Sequence, residues 1–198
     1  MPKNRLEAFS DGIFAFAATL LILNLMVSGV SLGSELLRIW SSYVAYAISF
    51  ITIGIIWINH HAVMHQVGHV NRLFLMLNVL FLMLIAFIPF PTRLLALYVT
   101  DPTQAEPAAL AYGVTLTLTA VFFNLLWRYA ASGRRLLREN ADDRTVEGIS
   151  RSYLPGPFIY LAATAVALVS PRASALLYVG IAVFYVLESS IFGGHRQT

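Results

Sequence analysis

The first side chains that could take part in binding or chemistry lie in one short segment, Arg5-Leu6-Glu7-Ala8-Phe9-Ser10-Asp11. The segment carries three charges and runs directly into an apolar stretch. Serine and aspartate at such a position can cap a helix by accepting hydrogen bonds from its free backbone amides. If the helix begins earlier, Arg5, Phe9 and Gly12 share one face. Arg5 and Asp11 would then lie at the mouth of a helix bundle, where a buried carboxylate needs a partner.

A second segment combines a tryptophan with a group of histidines, namely Trp57, His60, His61, His65 and His69. The last three are four residues apart, which predicts one helical face, with Trp57 one turn before His61. Histidines at this spacing can bind zinc, but no nearby cysteine or carboxylate completes a site, so no metal site is predicted. The alternative is hydrogen bonding to backbone or to a carboxylate, for which Asp11 is a candidate. The helical phase further predicts a helix that continues into the cytosol and turns back near Asn71.

The apolar stretch after Asp11 also has a pattern of its own. Small residues between Gly12 and Thr19 permit close packing of helices. Phe16, Leu20 and Leu23 follow one another at helical spacing and form a continuous apolar stripe. Such a stripe is typical of contact with lipid, of a protein core or of a pore lining, and composition alone does not separate the three.

The overall composition requires that membrane helices position these residues. Of the 198 residues, 58% are apolar and only 12% are charged, too few for a soluble domain of this length. Cysteine is absent, which excludes disulfides, iron–sulfur clusters and thiol nucleophiles. The sequence contains no phosphate-binding loop, no dinucleotide fingerprint and no hydrolase spacing. It is therefore not predicted to be an enzyme, and no nucleic-acid partner is predicted.

Six stretches have the length and apolarity of membrane spans: 12–30, 39–58, 73–98, 108–127, 153–170 and 173–191. With this count, ten basic residues fall on one side of the bilayer and only Arg38, Arg93 and Arg172 on the other. Because cytosolic loops are enriched in lysine and arginine, both termini are expected in the cytosol. The prediction is an all-α membrane protein with one domain, residues 1–198.

The polar segment 128–151 is the one long connection between the predicted spans. It mixes six arginines with four acidic residues, which favours a solvated connector that sets the topology. The alternative is contact with anionic lipid headgroups, to which each arginine contributes about 1 kcal/mol.

Taken together, these features resemble the transmembrane protein 175 family of potassium channels in its prokaryotic form. The resemblance rests on four features: the R-x-x-x-F-S-D signature (Arg5, Phe9, Ser10, Asp11), the Ala-Thr-Leu-Leu-Ile-Leu run at 18–23, the group of Trp57, His60, His61 and His65, and the Phe-Ile-Pro-Phe-Pro stretch at 87–91.

The resemblance implies a multi-pass protein of the cell membrane that passively conducts potassium, without a cofactor. It implies selectivity for potassium, with other monovalent cations as further permeant ions. This sequence has no Thr-Val-Gly-Tyr-Gly filter. Family members with one six-helix unit form homotetramers in the bilayer, and their first helices surround a central pore gated by rings of apolar side chains.

Carried onto this chain, the family's narrowest ring falls at Phe16, with further rings at Leu20 and Leu23 and with Thr19 adjacent. The family usually has isoleucine at the first of these positions, so Phe16 departs from the pattern. A network that holds helices together rather than contacting ions is implied for Arg5, Phe9, Ser10, Asp11, Trp57, His60, His61 and His65.

Two other function classes compete with the channel. A secondary transporter would need a midplane site, typically with a broken helix or an intramembrane charge. Pro89 and Pro91 in the third span favour it, and Glu188 is the one acid late in a span. A metal-dependent membrane enzyme would use His60, His61 and His65 as ligands.

Overall fold

The computed structural model describes residues 2–26 and 32–192. Within these ranges the chain is helical, apart from its connections and one isolated antiparallel bridge between Val67 and Leu137. In chain order the helices are α1 (Lys3–Leu20), which continues as a 3-10 turn (Leu21–Asn24), α2 (Leu32–Arg38), α3 (Trp40–Gln66), α4 (Arg72–Phe87), α5 (Pro89–Tyr98), α6 (Ala105–Ala131), α7 (Asp143–Tyr153), α8 (Gly156–Val166) and α9 (Pro171–Phe192).

Four stretches of the described residues are long and apolar enough to cross a membrane, and they coincide with the first four predicted spans. These are Lys3–Asn24, Trp40–Gln66, Arg72–Tyr98 and Ala105–Arg134. The predicted end of the first span, 27–30, lies outside the described residues. As predicted, α3 continues beyond the second predicted span, through His65 to Gln66. The chain turns back at Asn71, whose side chain accepts a hydrogen bond from the Phe74 amide at 3.0 Å.

The third predicted span is interrupted at Ile88, where α4 gives way to α5. Proline has no backbone N–H, so Pro89 and Pro91 leave the Ile85 and Phe87 carbonyls without their usual helical donors. The Ile88 amide reaches the Ile85 carbonyl at 3.2 Å instead. The break is therefore a consequence of the two prolines.

The fifth predicted span, 153–170, contains a helix that is shorter than the span, and the prolines lie at its start as predicted. Tyr153 is the last residue of α7, and α8 begins only after Pro155 and ends at Val166. Prolines suit the first turn of a helix and not its middle, so they start a new helix here. The 11 residues of α8 are too few to cross a bilayer in α-helical form. The last helix, α9, covers the predicted sixth span, and its fully described apolar part is Pro171–Tyr185.

The helix α6 occupies the centre of the bundle and packs against α4, α5, α8 and α9. The helix α1 lies at the edge of the bundle and packs mainly against α3 and α4. Its buried side chains, among them Phe14 and Ala17, point toward these two helices. The opposite face of α1 is left uncovered within one chain.

The segment 128–151 contains a helix that the prediction of a solvated connector missed. Gly133 follows the end of α6 with φ of 59°, a left-handed conformation that glycine adopts at low cost. The helix α7 then packs Val146, Ile149 and Tyr153 against the core. Its cap is Asp142, which accepts hydrogen bonds from the Thr145 hydroxyl and amide, and these bonds hold the pKa of Asp142 below its usual value.

Candidate functional site

The charged segment at the start of the chain is part of α1 and not its cap. The helix begins at Lys3, so Ser10 and Asp11 lie within it, about two turns from its start. The Ser10 hydroxyl donates to the Leu6 carbonyl at 2.8 Å, a bond inside the helix. The capping interpretation is therefore wrong. The alternative, in which the helix begins earlier and Arg5, Phe9 and Gly12 share one face, is confirmed. All three residues lie together on the exposed face of α1.

A buried chain of hydrogen bonds joins α1, α4 and α3. His60 Nε2 donates to Asn78 Oδ1 at 2.9 Å, and Asn78 Nδ2 donates to Ser10 Oγ at 3.1 Å. The Ser10 hydroxyl completes the chain at the Leu6 carbonyl. Each group is satisfied because the asparagine amide offers an acceptor to one neighbour and a donor to the other.

Aromatic rings enclose this hydrogen-bonded chain. The His60 ring stacks on the Phe81 ring, with their centroids 5.5 Å apart. The ring of Phe14, on α1, also lies with its centroid 5.5 Å from that of His60. Both phenylalanines are almost fully buried. A polar group in such surroundings is costly unless it is paired, so the contact fixes how α1 docks on its neighbours.

A second contact from the same motif lies on the exposed side. Trp57 Nε1 donates to Asp11 Oδ1 at 2.9 Å, and the His61 ring lies 6.2 Å from the indole. Within one chain the partner of Asp11 is thus Trp57, and the prediction of a histidine partner is wrong. His65 is exposed one turn further along α3.

The histidines do not assemble into a metal site within the described residues. His69 lies beyond the end of α3, so the predicted single face through His61, His65 and His69 is wrong. In the part of the chain that the structure describes, no group of three or more histidine or acidic side chains is close enough to hold a metal ion.

Five of the eight motif residues therefore fall into two groups. Ser10 and His60 form the buried chain, and Asp11, Trp57 and His61 form the exposed contact. Phe9 and Arg5 lie on the open face of α1, where Arg5 has no acidic group within ion-pair distance among the described residues. Nearby, Lys3 and Glu7 form an ion pair at 3.4 Å, one turn apart.

The open face of α1 also carries the residues implied to line a pore. Phe16 is 61% exposed and Leu23 is 62% exposed. Leu20 is half-buried at the end of the α-helix, and the 3-10 turn follows it. In that turn Ile22 is exposed beside Leu23.

Two polar side chains complete α1. The Thr19 hydroxyl is exposed and donates to the Ala15 and Phe16 carbonyls at 3.0 and 2.9 Å. Its proton is therefore directed to the helix, and its oxygen lone pairs are available on the open face. Asn24 Nδ2 donates to the Pro89 carbonyl at 3.2 Å and ties the end of α1 to α5.

Sequence reasoning missed Asn78, although a signal was present. It is the one polar side chain among the apolar residues of 73–87. A lone amide in a membrane helix is expected to face a partner inside the bundle. No local feature of the chain identifies the partners, which lie on two other helices.

Replacing Asn78 by leucine should destabilise the chain by about 1–2 kcal/mol. The substitution preserves the approximate size of the side chain but leaves His60 without its acceptor and Ser10 without its donor. The measurement is the apparent unfolding midpoint of purified protein in detergent. Asn140→Leu, in an exposed connection, is the control, and equal midpoints for the two variants would contradict the role assigned to Asn78.

A family model and two curated relatives match this chain, and all three are described as potassium channels. A family model described as the endosomal/lysosomal potassium channel TMEM175 matches residues 5–89. The chain is 41% identical over 192 residues to a potassium channel of Chamaesiphon minutus, with 94% of each protein covered. It is 35% identical over 191 residues to a potassium channel of Streptomyces collinus, with 92% of this chain and 91% of that protein covered.

A solved structure shows the same similarity in three dimensions. It is the crystal structure of a lysosomal potassium-selective channel TMEM175 homolog from Chamaesiphon minutus. The TM-score is 0.85 at 39% sequence identity, with 94% of this chain and 97% of that chain covered. The similarity thus extends well beyond the matched segment 5–89 and includes the central helix α6.

Proposed function

This chain belongs to the TMEM175 family of potassium channels, and on that premise we propose that it is a potassium-selective cation channel of the cell membrane. Four copies surround a central pore lined by α1. Conduction is passive, and no cofactor takes part. Potassium is the preferred ion, and other monovalent cations pass less readily.

The proposed topology has six spans per subunit and both termini in the cytosol. The spans are α1 with its 3-10 turn, α3, the α4–α5 pair, α6, α8 and α9. The ten-to-three distribution of lysine and arginine supports this orientation. Because α8 is short, the turn residues after Val166 would complete its crossing.

The observation that carries the proposal is the uncovered face of α1. Its neighbours cover only one side of the helix, yet the other side bears Arg5, Asp11 and Thr19 as well as apolar residues. Charged and hydroxyl groups in a membrane helix face water or protein rather than lipid. A water-filled axis shared by four copies of α1 accounts for both kinds of residue.

The proposed gate is a set of apolar rings along this axis. Phe16 and Leu23 project from the open face, with half-buried Leu20 between them. A narrow apolar ring excludes water, so an ion passes only when the ring widens enough for the ion to stay hydrated. Four phenylalanine rings are bulkier than four isoleucines and would close the pore more tightly.

We expect Thr19→Val to lower the preference for potassium over sodium by about threefold to tenfold. Valine keeps the shape of threonine but removes the hydroxyl oxygen that replaces part of the ion's hydration shell. The measurement is the ratio of the two permeabilities in planar bilayers. Thr117→Val, on α6, is the control, and an unchanged ratio in Thr19→Val would assign selectivity to other atoms.

The function itself is tested by ion flux in liposomes that contain the purified protein under opposed potassium and sodium gradients. Passive flux that favours potassium and needs no second solute is the expected result. The broken helix at Pro89 is the structural argument for a secondary transporter. Flux that appears only with a coupled solute would overturn the channel proposal in favour of that alternative.

A further inference from the structure

A second feature of the bundle lies away from α1. A groove of about 410 Å³ opens between α3, α5, α6 and α9, at the end of the bundle that carries α2. Its walls are mainly aliphatic, with contributions from Val44, Ile48, Leu95, Val99, Leu176 and Val179. The groove contains no residue of the open face of α1.

The floor of the groove carries hydroxyls that are already paired. Ser49 Oγ and the Tyr112 hydroxyl are 3.1 Å apart, and Thr92 donates to Ser49 at 2.9 Å. The Tyr178 hydroxyl lies 3.1 Å from Thr164 Oγ1. Across the described residues, every buried side-chain nitrogen or oxygen has a hydrogen-bond partner. The deep part of the groove therefore suits an apolar occupant rather than a polar solute.

The mouth of the groove has a different character, because it is lined by Arg172 and Trp40. Arg172 is exposed, and no acidic side chain lies within ion-pair distance of it among the described residues. Of the other two basic residues at this end, Arg38 pairs with Glu35 at 2.7 Å and Arg93 contacts Met26 Sδ at 3.8 Å. Trp40 is 58% exposed, and tryptophan is enriched at the membrane–water interface.

We propose that this groove binds one anionic phospholipid. An acyl chain lies between α3 and α9, and the headgroup phosphate is held by the Arg172 guanidinium, whose planar donors match phosphate oxygens. The acyl chain is in hydrocarbon before and after binding, so its burial adds little selectivity. The charge at the mouth therefore decides which lipid is retained.

The test is native mass spectrometry of the purified full chain, incubated with equal amounts of phosphatidylglycerol and phosphatidylcholine. The wild type should retain phosphatidylglycerol preferentially, at about one lipid per chain. Arg172→Gln should lower that preference about fivefold, whereas Arg38→Gln, which removes a paired charge at the same end, should not. Ala45→Phe fills the groove and should lower retention of both lipids relative to Ala162→Phe on the exposed side of α8.

Three results would overturn the proposal. The first is an unchanged lipid preference in Arg172→Gln, and the second is an equal loss in Arg38→Gln. The third is that Ala45→Phe alters the oligomeric state without altering lipid retention, which would assign the groove to a neighbouring copy of the chain. Since the assay measures binding and not flux, its outcome is independent of the proposed conduction.

Discussion

Replacing Phe16 by alanine is expected to raise passive potassium flux by about tenfold, equivalent to lowering the barrier by about 1.4 kcal/mol. The benzyl side chain is 61% exposed on the open face of α1, and four copies would form the bulkiest ring of the proposed pore. Alanine widens the ring and admits water, so the cost of dehydrating the ion falls. The measurement is flux in liposomes at equal protein content, with potassium and sodium compared.

The matched control is Phe158→Ala. Phe158 is 66% exposed on α8, a helix that packs mainly against α6 and α9, so the same atoms are removed from a similarly open position. Its flux should equal that of the wild type. If Phe16→Ala leaves flux unchanged, or if both variants raise it equally, Phe16 does not form the gate.

Replacing Gly113 by alanine should lower the apparent unfolding midpoint by about 5 °C or more. An added Cβ would lie 2.1 Å from the Tyr178 hydroxyl and 2.4 Å from Thr164 Oγ1. These two groups are bonded to each other in the interior, so neither can withdraw freely. The three helices α6, α8 and α9 would have to separate, and the measurement is thermal unfolding in detergent.

Gly180→Ala provides the control for this variant. Gly180 is also within a helix, α9, but a Cβ there meets no atom within 4 Å. Alanine favours the helix more than glycine does, so this variant should be unchanged or slightly more stable. Equal midpoints for Gly113→Ala and Gly180→Ala would show that the α6 contact is less tight than the geometry indicates.

Much of the architecture follows from the amino-acid sequence alone. The length and apolarity of six stretches predict membrane spans, and the first four coincide with described helices that are long and apolar enough to cross a membrane. The R-x-x-x-F-S-D segment and the stripe through Phe16, Leu20 and Leu23 lead to the prediction that α1 lines the pore. These features are local, because apolarity and helical period are properties of consecutive residues.

Which polar groups meet depends on how the helices pack against one another. His60 and His61 are adjacent in the sequence, yet His60 is buried against Asn78 and His61 is exposed beside Trp57. Asn78 itself was recognisable as a lone amide but had no identifiable partner. The chain of hydrogen bonds across three helices depends on the rotation and depth of each helix relative to the others. The residues of one helix alone do not determine these quantities.

The breaks in the helices depend partly on local residue type and partly on tertiary packing. Proline marks where α4 ends and where α8 begins, so a discontinuity at each place is predictable from the residue type. That α7 lies on the bundle as a packed helix was decided by Val146, Ile149 and Tyr153 meeting the core. Local residue types thus determine the spans and their interruptions. Contacts between residues distant in the chain determine the arrangement of the site, because packing selects one arrangement among many with the same local pattern.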